Sequence, residues 1–163
     1  MLIKKVLTVA LLGFAAAQSG KLIVDSDGKA VDIVNGYMNP GDKLQLFDLH
    51  GAANQQFTFT YVVDGYYFIR SAGNPTLCVD IPYFEMENNV VLQMWPCKDI
   101  NDPTENLSNQ LWRIENDYSN NKMMFHSKGD DNMVIDSSRT SNDLIIHSIN
   151  PAYNSAHQWF GVN

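Results

Sequence analysis

Residues able to do acid–base, nucleophilic or metal chemistry are plentiful in this chain, but their spacing suits none of it. The four histidines, His50, His126, His147 and His157, show no metal-type pairing on one helical face. No serine sits in a nucleophile-elbow setting beside the available His and Asp residues. Glu85 with Glu87, and Asp130 with Asp131, fall among turn-formers, where a solvated surface is the default. Asp25-Ser26-Asp27-Gly28 opens like a calcium loop but lacks the third acidic position and the distal Glu, so a hairpin turn explains it better. No catalytic residue, metal or cofactor is expected, and the chain is not expected to be an enzyme. What recurs is a different set. An apolar-Asp step appears at Val31-Asp32-Ile33, Val79-Asp80-Ile81 and Ile135-Asp136-Ser137. Each Asp is followed, 22 to 30 positions later, by glutamine, any residue, aromatic: Gln55-Gln56-Phe57, Gln110-Leu111-Trp112 and Gln158-Trp159-Phe160. Each is preceded by Ser-x-Gly: Ser26-Asp27-Gly28, Ser71-Ala72-Gly73 and Ser127-Lys128-Gly129.

Three markers in the same order, three times, define an internal repeat with a period of 45 to 56 residues. A unit of about that length is one supersecondary piece that cannot close its own core, so the copies must pack together. The elements that position the markers are strands. Short runs rich in β-branched and aromatic residues, such as Leu44–Phe47, Phe57–Val63, Tyr66–Ile69, Leu111–Ile114 and Leu144–Ile146, are separated by turn-formers every eight to twelve residues or so. Asp64-Gly65 and the Asn116–Asn121 segment mark the joins between units. No helical period is sustained over ten or more residues. The expectation is an all-β fold, a β-trefoil of three repeats of ~50 residues (about 20–64, 65–117 and 118–163) around a pseudo-threefold axis. Phe57, Trp112 and Phe160 should enter its shared core, each stabilising by ~2 to 3 kcal/mol. An open sandwich is the alternative fold.

Residues 1–17 read as a signal peptide. Lys4 and Lys5 form a basic start, Val6 to Ala17 an apolar run, and Ala15-Ala16-Ala17 a small-residue cleavage site. The apolar run is too short to span ~30 Å of hydrocarbon. The mature domain is then 18–163, secreted, and of a size to bury one core. Without Lys4 and Lys5, nine basic residues face eighteen acidic ones, a net charge of −9. Nucleic acid and anionic membranes need a basic footprint and are not expected partners. Cys78 and Cys97 are the only cysteines. An even count in an oxidising compartment favours a disulfide, worth roughly 3 kcal/mol for a loop of about twenty residues; two reduced buried thiols are the alternative.

The stretch Leu77-Cys78-Val79-Asp80-Ile81, then Val91-Leu92-Gln93-Met94-Trp95-Pro96-Cys97-Lys98, then Asn109-Gln110-Leu111-Trp112 resembles the ricin B-chain type lectin repeat. The resemblance implies a β-trefoil that binds galactose-type sugars in shallow pockets, one per repeat. It implies that Asp accepts hydrogen bonds from two sugar hydroxyls, with charge strengthening them. An Asn or Gln amide serves a hydroxyl that needs both donor and acceptor. An aromatic ring covers the sugar's C–H face, and the Gln of Gln-x-aromatic orients the Asp from behind. The implied middle pocket is Asp80, Gln93, Trp95, Asn109 and Gln110. Its loop from Cys97 to Asn109 is longer than the family's usual one, so it either folds over the pocket or displaces Asn109. Asn106-Leu107-Ser108 within it is an N-glycosylation sequon. The implied first pocket is Asp32, Gln45, Phe47, Asn54 and Gln55. The third repeat keeps Asp136 and Gln158 and has His147 at the aromatic position. It has Ile145 for Gln and His157 for Asn, with a four-residue deletion between them, so sugar binding is not expected there.

The resulting reading is a small secreted lectin-like module for galactose or N-acetylgalactosamine glycans on cell-surface or wall glycoconjugates. It has no nucleic-acid partner and no membrane insertion, and self-association is open to it. The alternative is a structural or inhibitory trefoil with vestigial pockets, whose long acidic loop Asp99–Leu107 would make the contact.

Overall fold

The computed structural model describes residues 20–149 and 156–163. The leader read at 1–17 lies outside the described residues. The first unit contributes β1 (Ile23–Val24), β2 (Ala30–Ile33), β3 (Leu44–Phe47) and β4 (Phe57–Val63). The second contributes β5 (Tyr66–Ser71), β6 (Leu77–Asp80), β7 (Val90–Val91), β8 (Gln93–Pro96) and β9 (Leu111–Asp117). The third contributes β10 (Lys122–Ser127), β11 (Met133–Ser137), β12 (Leu144–Ser148) and β13 (Gly161–Val162).

Six strands close into a barrel. β4 pairs with β5, β5 with β9, β9 with β10, and β13 with β1, all antiparallel. Single bridges, Lys21 to Phe57 and Met123 to Phe160, complete the ring. The join after the first unit is the Asp64-Gly65 turn, with φ of 50° and 82°. Positive φ at both residues matches the twist of the flanking strands, which is why Asp-Gly serves there.

The other strands form three hairpins, β2–β3, β6–β8 and β11–β12, that cap one end. They are tied to each other through backbone bonds from Leu44 N to Leu92 O (2.9 Å), Leu92 N to Leu144 O (2.9 Å) and Leu46 N to Asn142 O (2.6 Å). Each hairpin alternates strictly. Val31, Ile33, Leu44 and Leu46 face the core, as do Val79, Ile81, Leu92 and Met94, and Ile135, Leu144 and Ile146. The opposite face carries Asp32, Gln45 and Phe47 in the first unit, Asp80, Gln93 and Trp95 in the second, and Asp136, Ile145 and His147 in the third. One strand period thus sends apolar residues inward and the pocket residues outward.

Phe57, Trp112 and Phe160 are fully buried in one core shared by all three units, as the threefold repeat predicts. The Trp112 indole N–H donates to Val79 O at 3.2 Å, so its polar edge is satisfied. Cys78 and Cys97 are bonded (S–S 2.02 Å, Cα–Cα 5.0 Å). They tie the two strands of the middle hairpin beside a small apolar cluster of Phe68, Leu111 and Leu107.

The Ser-x-Gly marker has a packing role beyond its turn. The loop between β2 and β3 carries Met38 onto Ser71, whose hydroxyl lies 3.4 Å from Met38 Sδ. A Cβ on Gly73 would fall 2.5 Å from that sulfur. The next loop carries Met86 onto Ser127 (3.6 Å), and a Cβ on Gly129 would overlap Met86 Cε. Each clamp joins one unit to the next, and the glycine is required because the methionine occupies its side-chain space. The third loop is four residues shorter and has no such methionine, and nothing lies within 4 Å of a Cβ built on Gly28.

Candidate functional site

Within each hairpin the Asp and the rim residue are cross-strand partners. Asp32 stands opposite Gln45, Asp80 opposite Gln93 and Asp136 opposite Ile145. The shared 13-residue spacing in the first two units is therefore the length of one hairpin with its loop. Gln93 Nε2 donates to Asp80 Oδ1 at 2.9 Å, and Gln45 Nε2 to Asp32 Oδ1 at 3.0 Å. From the far side, Asn109 Nδ2 and Gln110 Nε2 donate to Asp80 Oδ2 at 2.7 and 2.9 Å. Asn54 and Gln55 do the same to Asp32 Oδ2 at 2.7 and 3.1 Å. Three carboxamides converging on one carboxylate are thus built twice, with the residues named from sequence.

Gln110 and Gln55 are wholly buried and do not reach a ligand. Each is a clip that holds three chain segments. Gln110 donates also to Pro96 O (3.0 Å) and accepts from Lys98 N (2.9 Å). Gln55 donates to Asp48 O (3.0 Å) and accepts from His50 N and Gly51 N (both 2.9 Å). Both stand behind the Asp, and the clip explains why this Gln recurs. The solvent-facing surface is the rim: Gln93 with Trp95, and Gln45 with Phe47. Trp95 is 44 % exposed and Phe47 47 %. Gln93 spends its amide hydrogen on Asp80, and none of the described residues donates to its Oε1.

The long loop does not displace Asn109, which stays buried with its amide on Asp80 and on Ile81 O (3.0 Å). The loop stays beside that site, its Asn106 carbonyl accepting from Lys98 Nζ. It turns toward the end of β4, where Val62, Val63, Ile100, Leu107 and Leu111 line an apolar groove. Asn106, the sequon residue, is exposed on that groove's edge.

Two residues at the site were not singled out from sequence. Lys98 Nζ donates to Asn109 Oδ1 at 2.7 Å and to Asn106 O, and lies 4.0 Å over the Phe84 ring. His50 Nε2 stands 3.4 Å from Asp32 Oδ2, its ring edge-on to Phe47 at 6.1 Å. They are 48 positions apart, the same interval as Asp32 to Asp80, so both put a nitrogen base at one site position. That interval was the available signal. Burial pushes the Asp80 carboxyl above its ordinary value, against the lowering effect of the amides and of Lys98. Burial lowers the Lys98 ammonium, with Asp80 and Glu105 opposing.

The third unit is built differently. Gln158 bonds Ser148 O (3.1 Å) and Asp136, and His157 Nδ1 meets the Ser137 hydroxyl at 3.1 Å. With Ile145 in place of a capping glutamine and a shorter loop, Asp136 opens onto a cleft of about 190 Å³. Asn89, Arg139, Ile145, His147 and Gln158 line it. Burial raises the Asp136 carboxyl, with Gln158, His147, His157 and Arg139 opposing.

A family model described as ricin-type beta-trefoil lectin domain matches residues 18–159. No curated protein matches the sequence. Among solved structures, the chain is similar to a designed threefold-symmetric protein, ThreeFoil (18 % identity, 88 % of this chain and 96 % of that one, TM-score 0.71). It is similar to the C-half of the earthworm R-type lectin in complex with GalNAc (20 % identity, 88 % and 98 %, TM-score 0.59). It is also similar to part of an exo-β-1,3-galactanase from Clostridium thermocellum (18 % identity, 88 % of this chain, TM-score 0.70). It covers 29 % of that enzyme.

Proposed function

Since the chain belongs to the ricin-type β-trefoil lectin family, we propose that it binds glycans ending in galactose or N-acetylgalactosamine, as a secreted module without catalytic activity of its own. The observation that carries this is the twice-built carboxylate with three converging amides, each beside a half-exposed aromatic two residues beyond its rim glutamine. Such a set fixes an Asp whose charge strengthens bonds to hydroxyls, and the ring supplies an apolar surface for a pyranose C–H face. The GalNAc bound by the earthworm lectin supports the same sugar class here. One shallow pocket binds with a Kd near ~1 mM, about −4 kcal/mol, so useful adhesion comes from two or more pockets engaging one surface.

One observation favours the alternative, a structural or inhibitory trefoil with vestigial pockets. Asp80 and Asp32 are 2 % and 3 % exposed, so a sugar reaches either carboxylate only if the rim glutamine swings aside. The deciding experiment is a galactoside titration followed by NMR, preceded by an immobilised-glycan panel. Asp80→Asn, Asp32→Asn and Asp136→Asn are compared with the parent protein. Loss of binding in one of the three identifies the working pocket. No binding to any galactoside, or indifference to all three changes, leaves the structural reading.

A further inference from the structure

The loop that follows the pocket Asp makes the same left-handed pair in the first two units. After Asp32 it passes through Asn35 and Gly36, at φ of 64° and 70°. After Asp80, 48 positions on, it passes through Tyr83 and Phe84, at φ of 53° and 60°. Glycine adopts this left-handed region freely and asparagine tolerates it, whereas a bulky side chain is forced there against steric repulsion. The first unit makes the turn with the residues it prefers, so the fold does not require aromatics at these positions. Tyr83 gains no packing in return, since its side chain is 89 % exposed. Unfavourable backbone of this kind is characteristically held at ligand sites.

Phe84 packs beside the middle pocket, and Tyr83 precedes it in the chain. Phe84 lies under the Lys98 ammonium, the same group that bonds Asn109 Oδ1. Asn109 in turn bonds Asp80 and Ile81 O, and Pro82 alone separates Ile81 from Tyr83. Trp95 is exposed on the outer face of the same hairpin. The first unit has Phe47 at the Trp95 position and no aromatic at the left-handed pair; its Tyr37 falls one position later.

We propose that Tyr83, with Phe84 and its Lys98 contact setting its base, is a second stacking platform. It holds the sugar ring next to the one in the Asp80 pocket, so the middle site reads a neutral glycan of at least two pyranose rings. This rests on the reading of that pocket as a sugar site. An exposed ring beside a polar pocket offers the neighbouring sugar's C–H face the burial that water denies it. The backbone strain is retained because relieving it removes the ring.

The test compares methyl β-galactoside with lactose, followed at the Trp95 indole N–H signal in NMR titrations. The parent protein, Tyr83→Asn (the residue of the first unit) and Asp80→Asn are used. The parent is expected to bind lactose about tenfold more tightly than the monosaccharide, a preference of ~1.4 kcal/mol. Tyr83→Asn should bring that ratio close to one, and should raise Tm by about 3 °C because the strain is released. Equal affinity of the parent for the two ligands overturns the proposal, as does a lactose preference that survives Tyr83→Asn. If both ligands bind equally and Asp80→Asn abolishes both, the sugar site stands and the second platform alone fails. If neither ligand moves the Trp95 signal, the middle pocket is not a sugar site and the proposal falls with it.

Discussion

Replacing Gln110 by leucine isolates the work done by the repeated glutamine. Leucine is close to glutamine in volume, so the core keeps its packing and the change is one of polarity. Gln110 is fully buried and has three partners: Asp80 Oδ2 at 2.9 Å, Pro96 O at 3.0 Å and Lys98 N at 2.9 Å. Asp80 keeps Gln93 and Asn109, so its loss is partial. Pro96 O and Lys98 N lose their clip in two part-buried bonds, and each orphaned group costs about 1–3 kcal/mol. The expected destabilisation is about 3–5 kcal/mol, a large part of a domain stability of roughly 5–15. Urea denaturation of the oxidised protein, read by tryptophan fluorescence, measures it. Gln93→Ile is the control, because Gln93 makes one bond on the partly exposed rim and the third unit already carries Ile145 there. That change should cost less than about 1 kcal/mol. If Gln110→Leu stays within about 1 kcal/mol of the parent, or Gln93→Ile costs as much as it does, the clip is not what holds the unit together.

Trp112→Ala empties the centre of the shared core and should cost about 3–5 kcal/mol by the same assay; a loss under about 1 would mean the three units do not pack through it. Thiol labelling of denatured, unreduced protein should find no free cysteine, and replacing Cys78 and Cys97 together by alanine should cost roughly 3 kcal/mol. The Asp136 carboxyl is raised by burial, so the folded state holds its proton more tightly than the unfolded chain does. Its contribution is then a penalty that is absent below the unfolded value of 3.8 and sets in as pH rises through the raised folded value. Asp136→Asn should therefore gain stability relative to the parent on going from about pH 3 to pH 7; a difference that is flat or of opposite sign would contradict it.

The fold was legible because its signals are periodic. The alternation along β6 and β8 that sends Val79 and Met94 inward fixes Asp80, Gln93 and Trp95 on the outer face. The recurrence of Phe57, Trp112 and Phe160 implies one shared core. The pocket set was legible through the same periodicity, since Asp32 to Gln45 and Asp80 to Gln93 measure one hairpin. The clamps were not, because Met38 and Met86 are unremarkable in type and act on a glycine in the following unit. Tyr83 and Phe84 were missed because φ is a property of the backbone: the sequence Tyr-Phe carries no turn signal, whereas Asn35-Gly36 does. The open third cleft was missed for a related reason. Loss of a glutamine was read as loss of a binding partner, yet Gln45 and Gln93 cover the carboxylate as well as contact it.

The barrel closes where Ile23 and Val24 meet Val162 and Gly161, between strands of two residues each. Among the described residues no methionine clamp reinforces that join, and its paired residues are 139 and 137 positions apart in the chain. Joining them fixes the longest loop in the molecule, and loop closure grows more expensive in entropy with length, if slowly. The joins at β4–β5 and β9–β10 are local hairpins that form within a few residues of a turn. The three joins therefore differ in kind: two are local hairpins, and the third links segments far apart in the chain. A trefoil drawn with threefold symmetry has three like joins, whereas this chain has two local ones and one of long range.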